Sequence, residues 1–178
     1  QNPCWLFGRS IVTKTMNVLD NSIYGFKELA GCKIFLMPHQ LKSIMRCLQE
    51  ETCRYMLADE VGMGKTIEAA SILMVYFSRH SDVDALIIAP GSLIEQWKME
   101  LFLKFDLYEG ENEHNNYIKF AELERASAYE CNQDWDFTIV DEAHRLLIYR
   151  EYYEAFHRLS KNTENLLLLS ATPVQQKR

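Results

Sequence analysis

A short glycine-bearing segment contains the residue types that bind the phosphates of a nucleotide. Gly62, Gly64, Lys65 and Thr66 stand between an apolar run at residues 55–58 and a helical pattern. Small residues let successive backbone N–H groups point at phosphate oxygens, and a helix N-terminus adds a favourable dipole. A lysine can reach the β and γ phosphates, and a hydroxyl can hold Mg²⁺. The segment therefore predicts a site for MgATP.

This loop departs from the strict G-x-x-x-x-G-K-[ST] pattern, because Asp59 stands where the first glycine belongs. Asp59 and Met63 lie within the loop and are candidate nucleotide-binding residues together with the glycines. An alternative interpretation is that residues 64–66 are a chance tripeptide at the start of a helix. The first interpretation requires that replacing Lys65 by alanine abolishes measurable ATP binding.

An acidic pair follows a second apolar run, at residues 137–140. Asp141 at the carboxyl end of a strand can hold Mg²⁺ through a water, while Glu142 orients the attacking water. His144 is a candidate sensor of the γ phosphate that couples to a neighbouring segment. Alone, the pair favours a solvated acidic turn with an N-cap aspartate. The upstream phosphate loop, the apolar strand and the following Ala143 favour the catalytic interpretation.

Two further segments are weak signals individually. Gln40 precedes a helix, and its amide can both donate to and accept from an adenine edge; alone, it is typical of a surface glutamine. Ser170, Ala171 and Thr172 follow an apolar run at residues 166–169, and their hydroxyls could link the nucleotide site to a bound strand. Alone, they indicate a turn that ends a strand.

The elements that must position these residues follow from hydrophobic periodicity. Short apolar runs predict strands, and they alternate with amphipathic patterns that predict helices. Strands buried on both faces and alternating with helices predict a parallel sheet in a three-layer α/β domain, with ligands bound beyond the carboxyl ends of the strands. The predicted strands are 55–58, 85–89, 117–120, 137–140 and 166–169, and the predicted helices are 65–79, 92–105 and 151–159, with another from Leu41.

The helix predicted at residues 92–105 has its own signals. Ser92 and Glu95 have the spacing of a capping box, and Leu93, Trp97 and Leu101 form an apolar stripe. The polar and acidic residues 106–116 that follow predict a solvated loop. Residues 1–35 contain no motif, and we expect a hairpin or a lead-in segment there.

Composition limits the class of protein. The 178 residues have a net charge of -6, which argues against a simple DNA-coating protein but leaves local phosphate contacts open. No apolar run approaches the roughly 20 residues that cross a bilayer, so we expect no membrane association. The five cysteines are odd in number and lack a CxxC pair, which favours reduced thiols over a zinc site. Because the chain begins with Gln1, we expect a fragment or a trimmed product.

In order and spacing, these segments resemble superfamily-two helicases, most closely the Swi/Snf-type translocases with their bacterial RapA-like relatives. A phosphate loop that begins with Asp-Glu is the form of that branch, so the missing glycine becomes support. The resemblance implies that residues 36–178 are the first RecA-like, P-loop NTPase domain of such a motor. The matching segments are MPHQ (37–40), ADEVGMGKTIEA (58–69), LIIAPGSLIEQW (86–97), FTIVDEAHRL (137–146) and LLLLSATP (166–173).

The resemblance also implies roles for individual residues. Gln40 would contact adenine. The phosphates would be bound by Gly62, Gly64 and Lys65. Thr66 and Asp141 would bind the Mg²⁺, and Glu142 would orient the attacking water. Pro90, Gly91 and Ser92 would lie near a nucleic-acid backbone, and double-stranded DNA is the expected nucleic acid. Gln96 and Trp97 are as compatible with helix packing as with DNA contacts.

Members of this family have a second RecA-like domain whose arginine finger completes the ATP site, and such a finger contributes roughly 10³–10⁵ in rate. We therefore expect residues 1–178 alone to hydrolyse ATP feebly or not at all. Cytoplasmic location in a bacterium is expected, or nuclear location in a eukaryote.

Three alternatives to a double-stranded DNA translocase stay open. A strand-separating DNA or RNA helicase of another superfamily-two branch would share most motifs. A nucleotide-responsive scaffold that does not hydrolyse ATP has no need for Lys65, Asp141 and Glu142 together. A nucleotide kinase or GTPase would lack the Ser-Ala-Thr segment and the early glutamine.

Overall fold

A computed structural model describes Leu29 and residues 31–59, 64–125, 133–147 and 150–171 of the chain. Within these residues, helices and strands alternate as the periodicity predicts, except between residues 110 and 140, where the described strands follow one another with no α-helix between them. The helices are α1 (Pro38–Gln49), α2 (Lys65–Arg79), α3 (Gly91–Phe105) and α4 (Arg150–Lys161), with short 3-10 helices at Glu113–Asn115 and Ala143–Leu147. The strands are β1 (Arg54–Asp59), β2 (Asp84–Ala89), β3 (Gly110–Glu111), β4 (Tyr117–Glu122), β5 (Trp135–Val140) and β6 (Thr163–Ala171).

The six strands form one sheet in the spatial order β1-β6-β5-β2-β4-β3. Every pairing is parallel except that of β3 with β4. Strand β6, the last in sequence, lies between β1 and β5, so Ala58 pairs with Ser170 and Val140 with Leu168. The carboxyl ends of β1, β6, β5, β2 and β4 therefore meet along one edge of the sheet.

Successive residues of the central strand β2 enter two different apolar layers. Ala85 and Ile87 pack with α1, α2 and α3 on one face, while Leu86 and Ile88 pack with α4 on the other. This alternation follows from the two-residue period of a strand, and burial on both faces explains why the strand is a continuous apolar run. The mainly parallel, three-layer α/β fold predicted from the sequence is confirmed.

The start of α3 differs from the prediction. Ser92 and Glu95 do not form the predicted capping box, because the helix begins one residue earlier and its N-cap is Pro90. A proline ring has no oxygen that could accept a hydrogen bond from the first turn, so the N-cap residue itself supplies no side-chain cap. Within the predicted stripe, Trp97 and Leu101 are buried and Leu93 is half-buried.

Residues 106–116 also differ from the prediction of a solvated loop. They contain β3 and a 3-10 helix, and they bury two asparagines. Asn116, only 1% exposed, accepts a hydrogen bond from the Val83 amide at 3.0 Å and donates to the Phe77 and His80 carbonyls at 3.1 and 3.2 Å. One amide side chain thus joins the end of α2 to the start of β2.

A second buried amide joins three strands at the amino edge of the sheet. Asn165, also 1% exposed, accepts from the Cys53 amide at 2.7 Å. Its NH₂ group donates to the Asp136 carbonyl at 2.8 Å and to the Tyr76 hydroxyl at 3.1 Å. Burial, with the nearby charges of Glu164 and Asp136, raises the pKa of Tyr76, so this hydroxyl stays protonated.

The cysteines in the described residues are thiols in apolar surroundings: Cys47 and Cys53 are buried and Cys32 is half-buried. Burial raises the pKa of Cys32, and a hydrogen bond between the other two lowers the pKa of Cys47 and raises that of Cys53. None of the helices in the described segments has the length and apolarity to span a membrane.

Candidate functional site

The carboxyl edge of the sheet brings together segments that are far apart in sequence. The phosphate loop follows β1, Ser170 and Ala171 end β6, and Asp141 follows β5. Pro90 follows β2, which is the next strand along. The backbone amide of Asp141 donates to the Ile88 carbonyl at 2.8 Å, which holds the acidic pair against the end of β2.

Gly64 is the N-cap of α2 and has a left-handed backbone with φ +82°. Its carbonyl accepts from the Gln40 side-chain amide at 3.4 Å, and a Cβ at Gly64 would lie 2.5 Å from that Gln40 nitrogen. Glycine is favoured at this position, because the left-handed backbone strains other residues and a Cβ would force the end of the Gln40 side chain to shift. The first turn of α2 then presents backbone amides at the carboxyl edge, as a phosphate site needs.

Gln40 is 4% exposed and has contacts on both polar atoms. Its oxygen accepts from the Met37 amide at 2.8 Å, while its nitrogen reaches Gly64. It is therefore a buried residue that joins the start of α1 to the phosphate loop. Adenine recognition by Gln40 stays a prediction.

Asp141 accepts one hydrogen bond on each carboxylate oxygen. The indole nitrogen of Trp97 donates to Oδ2 at 2.9 Å, and the backbone amide of Glu142 donates to Oδ1 at 2.8 Å. Each carboxylate oxygen has a second lone pair, so the group retains acceptor capacity for a metal-bound water. The indole of Trp97, 2% exposed, thus packs inside the domain, which supports the packing interpretation of this residue.

Glu142 has φ +51°, in the left-handed region. A non-glycine residue in this region costs about 1–3 kcal/mol and is common at functional sites. Its carboxylate oxygen lies 3.3 Å from Nδ1 of His144, and the Ser170 hydroxyl lies 3.3 Å from the same nitrogen. His144 therefore lies between the acidic pair and the end of β6, as the predicted coupling requires.

Glu124, which follows β4, joins two of the predicted segments. One carboxylate oxygen accepts from the Gly91 amide at 3.1 Å, and the other lies 3.0 Å from the Arg145 guanidinium. Partial burial by itself raises the pKa of Glu124, but the backbone donors and Arg145 outweigh burial and lower it. The carboxylate therefore stays ionised and holds the start of α3 beside the segment that follows the acidic pair.

The donor set at this edge fits MgATP. Thr66 offers a hydroxyl, Asp141 a carboxylate, and Lys65 a cation at the start of α2, which are the groups that hold magnesium and phosphate in P-loop sites. The described residues contain no cluster of three or more His, Cys, Asp or Glu side chains that could hold a metal by themselves. A magnesium ion here would depend on phosphate oxygens for part of its coordination, which is its usual behaviour.

Several predicted residues lie outside the description. Gly62, Met63 and Thr172 belong to the residues that the structure leaves undescribed, as do most of residues 1–35, and of Asp59 and Ala171 only the backbone is described. Pro90 is buried as the N-cap of α3, while Gly91 and Ser92 are exposed beside it. Two residues at this edge were not predicted to be parts of the site. The sequence indicated no partner for Trp97, and it did not indicate Glu124 at all.

Comparison with known proteins identifies relatives of this fold and site. A family model for the SNF2-related domain matches residues 38–125. The chain is 33% identical over 173 residues to RNA polymerase-associated protein RapA of Pectobacterium atrosepticum, and 34% identical over 172 residues to RapA of Klebsiella pneumoniae. Each alignment covers 83% of this chain and 18% of the relative, so the chain spans under a fifth of the length of these proteins.

Solved structures agree at the level of the fold. The ATPase core of a Sulfolobus solfataricus SWI2/SNF2 protein in complex with double-stranded DNA superposes with a TM-score of 0.67 at 19% identity. That match covers 82% of this chain and 34% of the other. The same core in a second structure gives a TM-score of 0.64 at 20% identity.

The matched family region contains α1, β1, α2, β2, α3 and β4, the elements that position the phosphate loop and the start of α3. Sequence relatives and fold thus agree with the motif order. Residues 38–125 match the SNF2-related family, and the resemblance of the chain to Swi/Snf-type, RapA-like proteins that its motifs indicate is confirmed.

Proposed function

We propose that this domain is the ATP-binding half of a nucleic-acid-dependent ATPase, and that the motor to which it belongs translocates on double-stranded DNA. The observation that carries the proposal is the hydrogen-bonded series at the carboxyl edge. It runs from Asp141 through Glu142 and His144 to Ser170, and it joins the acidic pair to the end of β6.

ATP binding is supported by the arrangement around Gly64. A left-handed glycine at the N-cap of α2 and the lysine that follows it are what a phosphate-binding helix start requires. Mg²⁺, when bound with ATP, would neutralise phosphate charge during γ-phosphoryl transfer. The chain's own residues would hold the triphosphate through Lys65 and the α2 amides, and would hold the metal's water shell through Thr66 and Asp141.

Hydrolysis requires a group that orients water, and Glu142 has the chemistry for it. Its carboxylate lies at hydrogen-bonding distance from His144, and its backbone has the strained left-handed conformation. With its Nδ1 protonated, His144 donates to Glu142; in the other tautomer, the same nitrogen accepts from Ser170. The two tautomers would give the site two hydrogen-bonding states, one on each side of the histidine.

Nucleic-acid binding is supported by the exposed start of α3 and by the name of a structural neighbour, a SWI2/SNF2 core that was solved with double-stranded DNA. Helix N-termini bind phosphates with backbone amides, so local phosphate contacts are compatible with a net charge of -6, although the Gly91 amide itself already donates to Glu124. Because the chain spans 34% of that core and 18% of its RapA relatives, we propose that a second RecA-like domain of the parent protein completes the ATP site.

The test is the substitution Glu142→Gln in the parent protein, with ATP binding and turnover measured separately. We expect ATP affinity within about threefold of the wild type and a loss of turnover of at least about 10²-fold, since a water-orienting group contributes about 10²–10⁴. The substitution Glu151→Gln on the exposed start of α4 is a matched control and should change neither quantity. Turnover that persists in the Glu142→Gln protein would contradict the assignment.

The rival function, a strand-separating helicase, is distinguished by the product. A double-stranded DNA translocase displaces a third strand from a triplex without separating the duplex, whereas a helicase releases single strands. Unwinding by the wild-type parent protein would favour the rival. ATP binding with no hydrolysis, in the presence of any nucleic acid, would favour the nucleotide-responsive scaffold.

A further inference from the structure

The hydrogen bond between Trp97 and Asp141 joins two regions that are 44 residues apart. Trp97 lies in the second turn of α3 and is 2% exposed, and its indole nitrogen lies 2.9 Å from Oδ2 of the carboxylate. The other carboxylate oxygen accepts from the Glu142 amide at 2.8 Å. Two donors on two different oxygens fix the rotation of the carboxylate about its own axis.

We propose that Trp97 is a positioning residue for Mg²⁺: its indole N–H holds the Asp141 carboxylate in the orientation that binds the metal's water shell. This inference rests on the proposed function, because it takes Asp141 as the magnesium carboxylate. Trp97 touches neither nucleotide nor metal in this assignment and acts only through Asp141.

The physical reason lies in the cost of reorientation. A carboxylate that rotates freely must lose that freedom when a metal binds, whereas a carboxylate held by two hydrogen bonds has already lost it. Groups that hydrogen-bond to metal ligands commonly change metal affinity by about 10–100-fold when they are removed. The remaining lone pair on each oxygen of Asp141 then points in a fixed direction.

A purely structural role is the competing explanation. A buried indole N–H needs an acceptor, and Asp141 supplies one. In that case the hydrogen bond would contribute to stability but not to the metal. The two roles differ in one measurable quantity, the Mg²⁺ concentration at which nucleotide binding is half-maximal.

The experiment uses residues 1–178 and the substitution Trp97→Phe, which retains an aromatic ring of similar burial and removes the donor. Binding of a fluorescent ATP analogue is titrated in EDTA and over a series of free Mg²⁺ concentrations. We expect affinity in EDTA within about twofold of the wild type and an increase of about tenfold in the Mg²⁺ midpoint. Asp141→Asn should remove most of the Mg²⁺ dependence.

A matched control is Trp135→Phe. Trp135 is buried to a similar degree, 6% exposed, but begins β5 at the opposite end of the strand that Asp141 follows. This control should lower the melting temperature and leave the Mg²⁺ midpoint unchanged. An unchanged midpoint in Trp97→Phe, when Asp141→Asn has lost the Mg²⁺ dependence, would overturn the inference and leave the proposed function intact. A normal Mg²⁺ dependence in Asp141→Asn would overturn both.

A second measurement serves if Trp97→Phe does not fold. The indole N–H resonance of Trp97 in the wild-type chain is followed by NMR as Mg²⁺ is added to the nucleotide complex. We expect this resonance to shift while that of Trp135 does not, and the shift to be absent in Asp141→Asn. A Trp97 resonance that does not shift when Mg²⁺ is added would overturn the inference.

Discussion

The two edges of the sheet use polar side chains in opposite ways. At the amino edge, Asn116 and Asn165 are each 1% exposed, and every donor and the acceptor oxygen of both amides have protein partners. At the carboxyl edge, Asp141 and Glu142 are half-buried and His144 is exposed. Polar groups that are fully satisfied stabilise the fold, whereas groups with remaining capacity are available to a ligand.

The largest expected effect is a loss of ATP binding at the carboxyl edge with little change in stability. Lys65→Ala should abolish measurable ATP binding, because each charge-assisted contact from the ammonium contributes about 1.5–3 kcal/mol. The melting temperature should change little. Isothermal titration with ATP checks this, and Lys42→Ala, on the exposed surface of α1, is the control that should bind normally. Unchanged affinity in Lys65→Ala would remove the phosphate role.

The next prediction separates the effect of backbone strain from the effect of a steric clash. Gly64→Ala and Gly110→Ala both place a side chain at positive φ, +82° and +107°. Strain alone costs about 1–3 kcal/mol at each position. Only the Gly64 side chain meets a neighbour, the Gln40 amide at 2.5 Å, while Gly110 has no atom within 4 Å.

Both variants should therefore unfold at lower denaturant, but only Gly64→Ala should lose ATP affinity, by at least about tenfold. The loss at Gly64 follows because the α2 amides and Gln40 must shift together. If Gly110→Ala weakened ATP binding to the same degree, general destabilisation would explain the result, and the specific contact would not.

A smaller effect is expected at the amino edge. Asn116→Ala should lower the free energy of unfolding by about 1–3 kcal/mol, because the partners of a buried amide lose their hydrogen bonds. ATP affinity measured below the transition should stay within error of the wild type. The substitution Gln49→Ala, at an exposed amide, is the control for side-chain loss. A change in nucleotide affinity in Asn116→Ala would contradict the assignment of stability to the amino edge and ligand binding to the carboxyl edge.

The smallest effect is a dependence on pH at Glu124. Its pKa in the folded protein is lowered, so its stabilising contribution is present above the unfolded value of about 4.3 and disappears as pH falls through the folded value. The difference in melting temperature between the wild type and Glu124→Gln should be small and constant near pH 7. It should vanish at strongly acidic pH, whereas a difference that grows with acid would have the wrong sign.

The sequence predicted the fold well because buried parallel strands are continuous apolar runs, and β2 and β6 show that pattern clearly. The described motif residues that follow β1, β2, β5 and β6 lie at one edge, since parallel topology brings strand ends together. The sequence did not predict which strand lies beside β1, because apolar runs of similar composition do not specify their neighbours in the sheet.

The errors have equally specific causes. Ser92 and Glu95 had the spacing of a capping box, but spacing does not reveal that the helix begins at Gly91, with Pro90 as its N-cap. The stretch 106–116 is polar on average, and an average does not show that Asn116 turns inward. The partnership of Trp97 with Asp141 depends on the packing of α3 against the sheet, which no local pattern encodes.

The position of β6 between β1 and β5 also bears on how the domain is made. Among the described strands, β1 pairs only with β6, and Arg54 meets Leu166 across 112 residues of sequence. Contacts of such separation form late, because a long loop must close first. During synthesis, the strand that leads into the phosphate loop is therefore exposed until β6 has left the ribosome. A ribosome stalled before residue 163 would hold a chain with α2 and β2 already translated and no sheet neighbour for β1.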